Sequence, residues 1–246
     1  MVKELGPGLR LTLALTIVTG LLYPAVMTGL SELIFPRQAN GSLVTISGKV
    51  VGSSMIGQSF AKPEYFHPRP SAAGSGYDAT QSSGTNLGPT SAKLLHGVTA
   101  TDDKGKETVS FDGIEDRIVH YCVDNDLPYE SSAPLDHFKD AQGNLDDVKL
   151  IDAFNDAKTP LVFTAKVPIP SDAVTASSSG LDPHISPANA ETQAARVAKA
   201  RGVTPDQVKQ LIPQFTQRPD WGFLGEPRVN VLTLNVALDQ KFPVSK

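Results

Sequence analysis

Residues 11–30 read LTLALTIVTGLLYPAVMTGL, twenty positions without a charge. At a helical rise of about 1.5 Å per residue such a run covers about 30 Å, the thickness of a bilayer's hydrocarbon core. Arg10 and Glu32 bound it. Its threonines are tolerable because each hydroxyl can bond back to a carbonyl of its own helix. A secretory signal peptide is the main rival, but its apolar core is about 7–15 residues long and ends in a small-residue cleavage site. Neither Ala25-Val26-Met27 nor Gly29-Leu30-Ser31 makes a good one, so residues 11–34 read as an uncleaved transmembrane anchor. Pro24 predicts a kink inside the span, while Gly20, Ala25 and Gly29 offer a neighbouring helix a close approach.

Orientation follows from charge. Lys3 and Arg10 precede the span and Arg37 and Lys49 follow it, so the basic count ties. The tighter N-terminal basic flank and the net charge of −4 on the 246-residue chain favour residues 1–10 in the cytoplasm and 35–246 outside. That outer part is long enough for one domain with its own core. Its acidic balance argues against a nucleic-acid surface, which needs clustered Lys and Arg. A single cysteine, Cys122, excludes an internal disulfide.

Beyond the anchor, Leu43–Ile46 and Lys49–Val51 flank Ser47-Gly48 as two short strands around a tight turn. Residues 56–94 hold prolines 63, 68, 70 and 89 and glycines 57, 74, 76, 84 and 88, too dense for a long helix or a central strand. A flexible linker would be monotonously Gly/Ser. This one carries Tyr65, Phe66, His67, Arg69, Tyr77 and Asn86, so it reads as a shaped recognition loop. From His96 to Thr159 the composition turns toward Asp, Lys and Glu, with helical spacing over 114–123 and 146–155, and reads as a small helical insert. Leu161–Val167 reads as a strand stopped by prolines. Ser186-Pro187 and Thr204-Pro205 each open a helix, the first stopped by Gly202 and the second by Pro213. Arg228–Leu238 (RVNVLTLNVAL) reads as a central strand. Because strands and helices do not alternate regularly, the fold class is α+β, with a mixed sheet and the helical insert.

Catalytic motifs are sparse. Gly74-Ser75-Gly76-Tyr77-Asp78-Ala79 fits a dinucleotide fingerprint on paper only, since no strand precedes it and prolines crowd it. The five histidines are scattered and no paired cysteines occur, so no metal site is expected. Asp182 and His184 lie beside several hydroxyls in SSSGLDPHIS (177–186), where a membrane-anchored extracytoplasmic hydrolase is one reading and a hydrogen-bonded turn is the favoured one. Arg69, between two prolines, either grips an anion or holds the loop through carbonyls.

The segments MIGQSF (55–60), YFHPRPSAAG (65–74), SSGTNLGPTS (82–91), VTASSSGLDPHISPANAETQAARVAKARG (174–202) and LGEPRVNVLTLNVAL (224–238), together with the anchor, closely resemble the KdpC family. These are the C subunits of the Kdp-type bacterial potassium-transporting ATPase. The resemblance implies a subunit without its own active site in an inner-membrane pump. Its partners would be a channel-like potassium-translocating subunit, a P-type ATPase subunit and a small single-helix subunit. It also implies a cytoplasmic N-terminus, a periplasmic folded domain and a catalytic-chaperone role that raises the ATPase subunit's affinity for ATP. The family's S-G-G-S-N run falls on Ser82, Ser83, Gly84, Thr85 and Asn86, where Ser83 replaces a glycine and Thr85 a serine. These five are the nucleotide-contact candidates. A domain outside the membrane has no access to cytosolic ATP, so ATP is expected through the ATPase subunit, with no cofactor bound firmly here. Tyr65, Phe66, Arg69, Asp182 and His184 are the expected docking residues, on loops 55–91 and 174–187. Residues 96–159 look longer than the family's usual connection.

Overall fold

The computed structural model describes residues 2–244, and the chain divides after Met55 into two compact units. In the first, helix α1 (Val2–Ile17) runs through one π-helical turn (Val18–Leu22) into α2 (Tyr23–Ile34). Lys3–Ile34 thus form one 32-residue helix, long and apolar enough to cross a membrane and unburied within the protein. At 1.5 Å per residue it is about 48 Å long, so it begins well before the apolar run does. The π turn lies where a kink is expected. Pro24 has no N–H for the Gly20 carbonyl, and its ring crowds that carbonyl. The Tyr23 N–H bonds the Val18 carbonyl instead, and the widened turn absorbs the mismatch. Thr19 Oγ1 donates to the Leu15 carbonyl at 2.7 Å, the back-bond that lets a hydroxyl sit in an apolar span. After α3 (Pro36–Ala39), β1 (Leu43–Ile46) and β2 (Lys49–Ser53) pair antiparallel around Ser47-Gly48.

The second unit opens with residues 56–91, which contain no helix or strand. Then come α4 (Ala92–His96), the hairpin β3 (Val98–Thr101) and β4 (Glu107–Phe111), α5 (Ile114–Asp124), β5 (Tyr129–Ser131), α6 (Asp147–Phe154) and β6 (Phe163–Ala165). The strand expected over 161–167 is therefore three residues long, and it pairs with β5. Asp146 caps α6 by accepting from the Val148 and Lys149 N–H groups. The C-terminal part holds α7 (Ser171–Val174), β7 (His184–Ile185), α8 (Pro187–Arg201), α9 (Pro205–Lys209), α10 (Ile212–Phe215), β8 (Thr216–Gln217), β9 (Arg228–Asn230) and α11 (Val231–Lys241). Ser186 caps α8, and Thr204 with Gln207 closes a capping box on α9, as the Ser-Pro and Thr-Pro signals predict.

Three expectations are corrected. Every strand pairing is antiparallel and the strands form four small sheets, the largest ordered β7-β9-β8, so there is no mixed sheet among the described residues. The expected central strand 228–238 is β9 for three residues and then α11. Asn230 accepts from the Thr233 N–H and starts the helix, and Val231, Leu234, Asn235 and Leu238 fall on its buried face at spacings of three and four. Pro213 starts α10 rather than ending a helix, because a proline in the first turn lacks only an N–H that needs no intrahelical partner.

Two apolar clusters follow from this layout. Phe66, Ile185, Ala194, Val197, Val208, Leu211, Ile212, Val229, Leu234 and Leu238 form the larger core, in which residues of α8, α9, α11, β7 and β9 pack with loop residue Phe66. Val119, Leu135, Leu150, Phe154 and Leu161 form the smaller one, between α5 and α6. The 96–159 segment thus supplies most of a second core, which Leu161 completes from just beyond it.

Candidate functional site

A proline-rich loop has no ladder to satisfy its backbone, so its buried N–H and C=O groups need side-chain partners. Helices α8 and α11 supply them. Asn235 Oδ1 accepts from the Phe66 N–H at 2.9 Å and its Nδ2 donates to the Phe66 carbonyl at 3.0 Å. Gln193 repeats the arrangement on His67, accepting at 2.7 Å and donating at 3.1 Å. Arg196 donates to the carbonyls of Pro63 and Tyr65 at 2.8 and 3.0 Å, and Arg201 to that of Glu64 at 2.7 Å. Arg201 also pairs with Asp239 and lies over the Tyr65 ring, whose hydroxyl reaches the same carboxylate. Of the expected docking residues, Phe66 is therefore a fully buried core residue and Tyr65 is half-buried against α8 and α11.

Loops 55–91 and 174–187 are zipped to each other. Gly57 N–H donates to the Leu181 carbonyl at 2.8 Å, Ser83 N–H to Ser179 at 2.9 Å and Ser71 Oγ to Gly180 at 2.6 Å. Arg69 donates to the carbonyls of Thr175 and Ala176 and pairs with Asp182 at 3.1 Å, so it holds the loop by carbonyls and a carboxylate together. Asp182 also accepts from the His184 N–H at 3.0 Å and lies 3.3 Å from its Nδ1, the bonded turn the sequence favours. Burial raises the Asp182 carboxyl's pKa, but the His184 bonds and the Arg69 charge outweigh it and hold it below the usual range. In the Ser82–Asn86 run, Ser82 Oγ donates to the Ser179 carbonyl. A Cβ on Gly84 would sit 2.7 Å from the Ser178 carbonyl oxygen, so that glycine permits the close approach of the two loops. Gly180 has φ +67° and a Cβ there would meet the Ser83 carbonyl oxygen at 2.5 Å. Ser83 itself is outside the left-handed region, so serine is accommodated where the family run has glycine.

Two groupings escaped the sequence reading. The ten-residue connection between β8 and β9 (RPDWGFLGEP, 218–227) projects Trp221 at 86 % exposure and Phe223 at 73 %. A tryptophan inside a Pro/Gly-bounded turn was its available signal. The other is a cavity of about 610 Å³ lined by His67, Arg69, Tyr77, Asp116, His120 and Asp147 among others. There His120 Nε2 lies 2.7 Å from Asp147 Oδ1 and 3.9 Å from Asp116 Oδ1. Asp116 and His120 share a face of α5 at i, i+4, but Asp147 arrives from α6, so linear spacing could not reveal the set. Asp116 is buried and its carboxyl is pushed up to about 7, by burial first and by the charges of Asp147 and Asp112, against the lowering pull of His120. For His120 burial disfavours the charged ring, yet the bond to Asp147 and the charges of Asp116 and Asp147 hold its pKa above the ordinary value.

His67 behaves oppositely, with its pKa lowered by burial and by the Arg196 guanidinium. The unfolded chain takes up this proton at a pH where the folded one does not, so protonation favours unfolding. His67's contribution is complete above the unfolded value of 6.5 and falls as pH drops from there toward its folded value. Between about pH 7.5 and about pH 5, urea unfolding of His67→Gln should lose less stability than the wild type does. Equal losses would show that His67 is not held neutral.

Residues 5–137 and 141–240 match the family model described as KdpC, K+-transporting ATPase, c chain. Curated relatives named potassium-transporting ATPase KdpC subunit include that of Rhodospirillum rubrum, 41 % identical over 245 residues and 100 % of both chains. Another is from Koribacter versatilis, 40 % identical over 99 % of this chain and 98 % of its own. A third, from a Caulobacter species, is 42 % identical over 99 % of this chain and 96 % of its own.

Proposed function

Because the chain belongs to the KdpC family and is thereby an accessory subunit of a potassium-transporting ATPase, we propose that it docks from the periplasmic side on the potassium-translocating subunit. In this reading α1 and α2 pack in the inner membrane beside the pump's other subunits, with the N-terminus in the cytoplasm. The second unit holds the assembly from outside. The observation that carries the reading is the pair Trp221 and Phe223, two large aromatic side chains that a self-contained domain would bury. The zipped loops 55–91 and 174–187 brace the domain, with Arg69, Asp182 and His184 as internal ties. The exposed Ser82, Ser83 and Asn86 are left to face a partner.

A second reading, nucleotide contact by Ser82, Ser83, Gly84, Thr85 and Asn86, agrees with the chaperone role implied by the family resemblance. It requires that loop to reach ATP, whereas in an outward-facing domain the bilayer separates them. Protease digestion of intact spheroplasts distinguishes the two. Cleavage of residues 56–246 in unbroken spheroplasts is expected. Protection until the membrane is opened would overturn the periplasmic docking and restore the nucleotide reading.

A further inference from the structure

We propose that Asp116, His120 and Asp147 form a binding site for a divalent transition-metal cation of the Zn²⁺ type. The potential ligand atoms of the three residues lie within 4.8 Å of one another. One ion takes nitrogen and oxygen ligands at about 2.0–2.2 Å, so small side-chain rotations bring all three onto it. Asp116 points to a ligand independently of this clustering. Its side chain is 4 % exposed, and its Oδ1 is buried with no hydrogen-bond partner among the described residues. An acceptor left in that state is costly, and a metal ion would complete its coordination. The guanidinium of the adjacent Arg117 does not do so. Arg117 is committed to both oxygens of Asp112, at 2.7 and 2.9 Å, and to the Val174 carbonyl at 3.0 Å.

Donor chemistry selects the class of cation. One imidazole with two carboxylates suits Zn²⁺ or Mn²⁺, whereas Mg²⁺ and Ca²⁺ prefer all-oxygen shells. Binding displaces the protons that Asp116 and His120 hold, and the two carboxylates and neutral imidazole that remain carry charge −2, matched by one divalent ion. Asp116 and His120 come from one face of α5, and Asp147 is the first residue of α6, so the ion ties the two helices that enclose the smaller core. Its remaining coordination position opens on the cavity of about 610 Å³, where water supplies it.

The test uses the full-length, tag-free chain in detergent, stripped with EDTA and titrated calorimetrically with ZnCl₂, MnCl₂ and MgCl₂. One Zn²⁺ per chain at micromolar concentration is expected, with weaker Mn²⁺ and no comparable Mg²⁺ binding. Zn²⁺ should raise the Tm of the wild type and not that of Asp147→Asn. Asp147 is 47 % exposed, so that variant keeps the fold, which circular dichroism checks. His120→Ala and Asp147→Asn should each weaken Zn²⁺ by at least about 10-fold, since even outer-shell losses reach that size. His184→Ala should bind as the wild type does. Absence of saturable zinc binding, binding unchanged in both ligand variants, or equal affinity for Mg²⁺ would overturn the assignment. The first of these results would leave His120 as a charged bridge between two carboxylates.

Discussion

Replacing Trp221 and Phe223 together by serine is expected to release the subunit from the purified pump while leaving its own fold intact. Truncating a buried interface aromatic typically costs about 2 kcal/mol or more, about 30-fold in affinity for each residue. If the two losses add, they weaken the contact by about 900-fold. Neither side chain supports the second unit's core, since they are 86 % and 73 % exposed, so Tm should hardly move. Pull-down through another pump subunit, followed by immunoblotting for this chain, gives the measurement. Undiminished recovery of the double variant would place the docking surface elsewhere. The β8–β9 hairpin would then be a solvent loop with two stray aromatics.

The second large effect is expected inside the domain. Asn235 bonds both the N–H and the C=O of Phe66 while 1 % exposed itself, and Phe66 is fully buried. Asn235→Leu keeps the volume and removes both partners. Each orphaned buried group costs about 1–3 kcal/mol, so the loss should be about 2–6 kcal/mol. Set against the usual 5–15 kcal/mol of a whole domain, this takes from about an eighth of the stability to all of it. Urea unfolding followed by far-UV circular dichroism reads it directly. A loss under about 1 kcal/mol would mean that the Phe66 segment finds other partners and is not clamped by α11.

Helix starts at Ser186 and Thr204 are legible because a cap is a bond between residues three apart, whereas the helix after Asp146 is legible from its apolar spacing. The run Arg228–Leu238 was misread because short apolar runs fit a buried strand or a buried helix alike, and its period of three to four emerges only once α11 has a face against α8 and β9. Pro213 was misassigned by one turn because proline both ends one helix and begins the next. Of the expected docking residues, Phe66 went inward because an aromatic in a shaped loop packs on whichever core it can reach, and nothing local states which.

The apolar helix at residues 3–34 needed nothing beyond its own composition and length, because a run long and apolar enough to cross a bilayer is a local property of the chain. Pro24 likewise announced an irregularity, since the missing N–H is a covalent fact; packing of the turn settled that it is a π-helical widening. The clamp and the cation triad belong to a different order of information. Phe66 and Asn235 are 169 residues apart, and Arg69 and Asp182 are 113 apart. Asp147 meets His120 across 27 residues and two elements. Each of those bonds forms only after loop closure brings the elements together, so no period, cap or spacing in the linear chain encodes it.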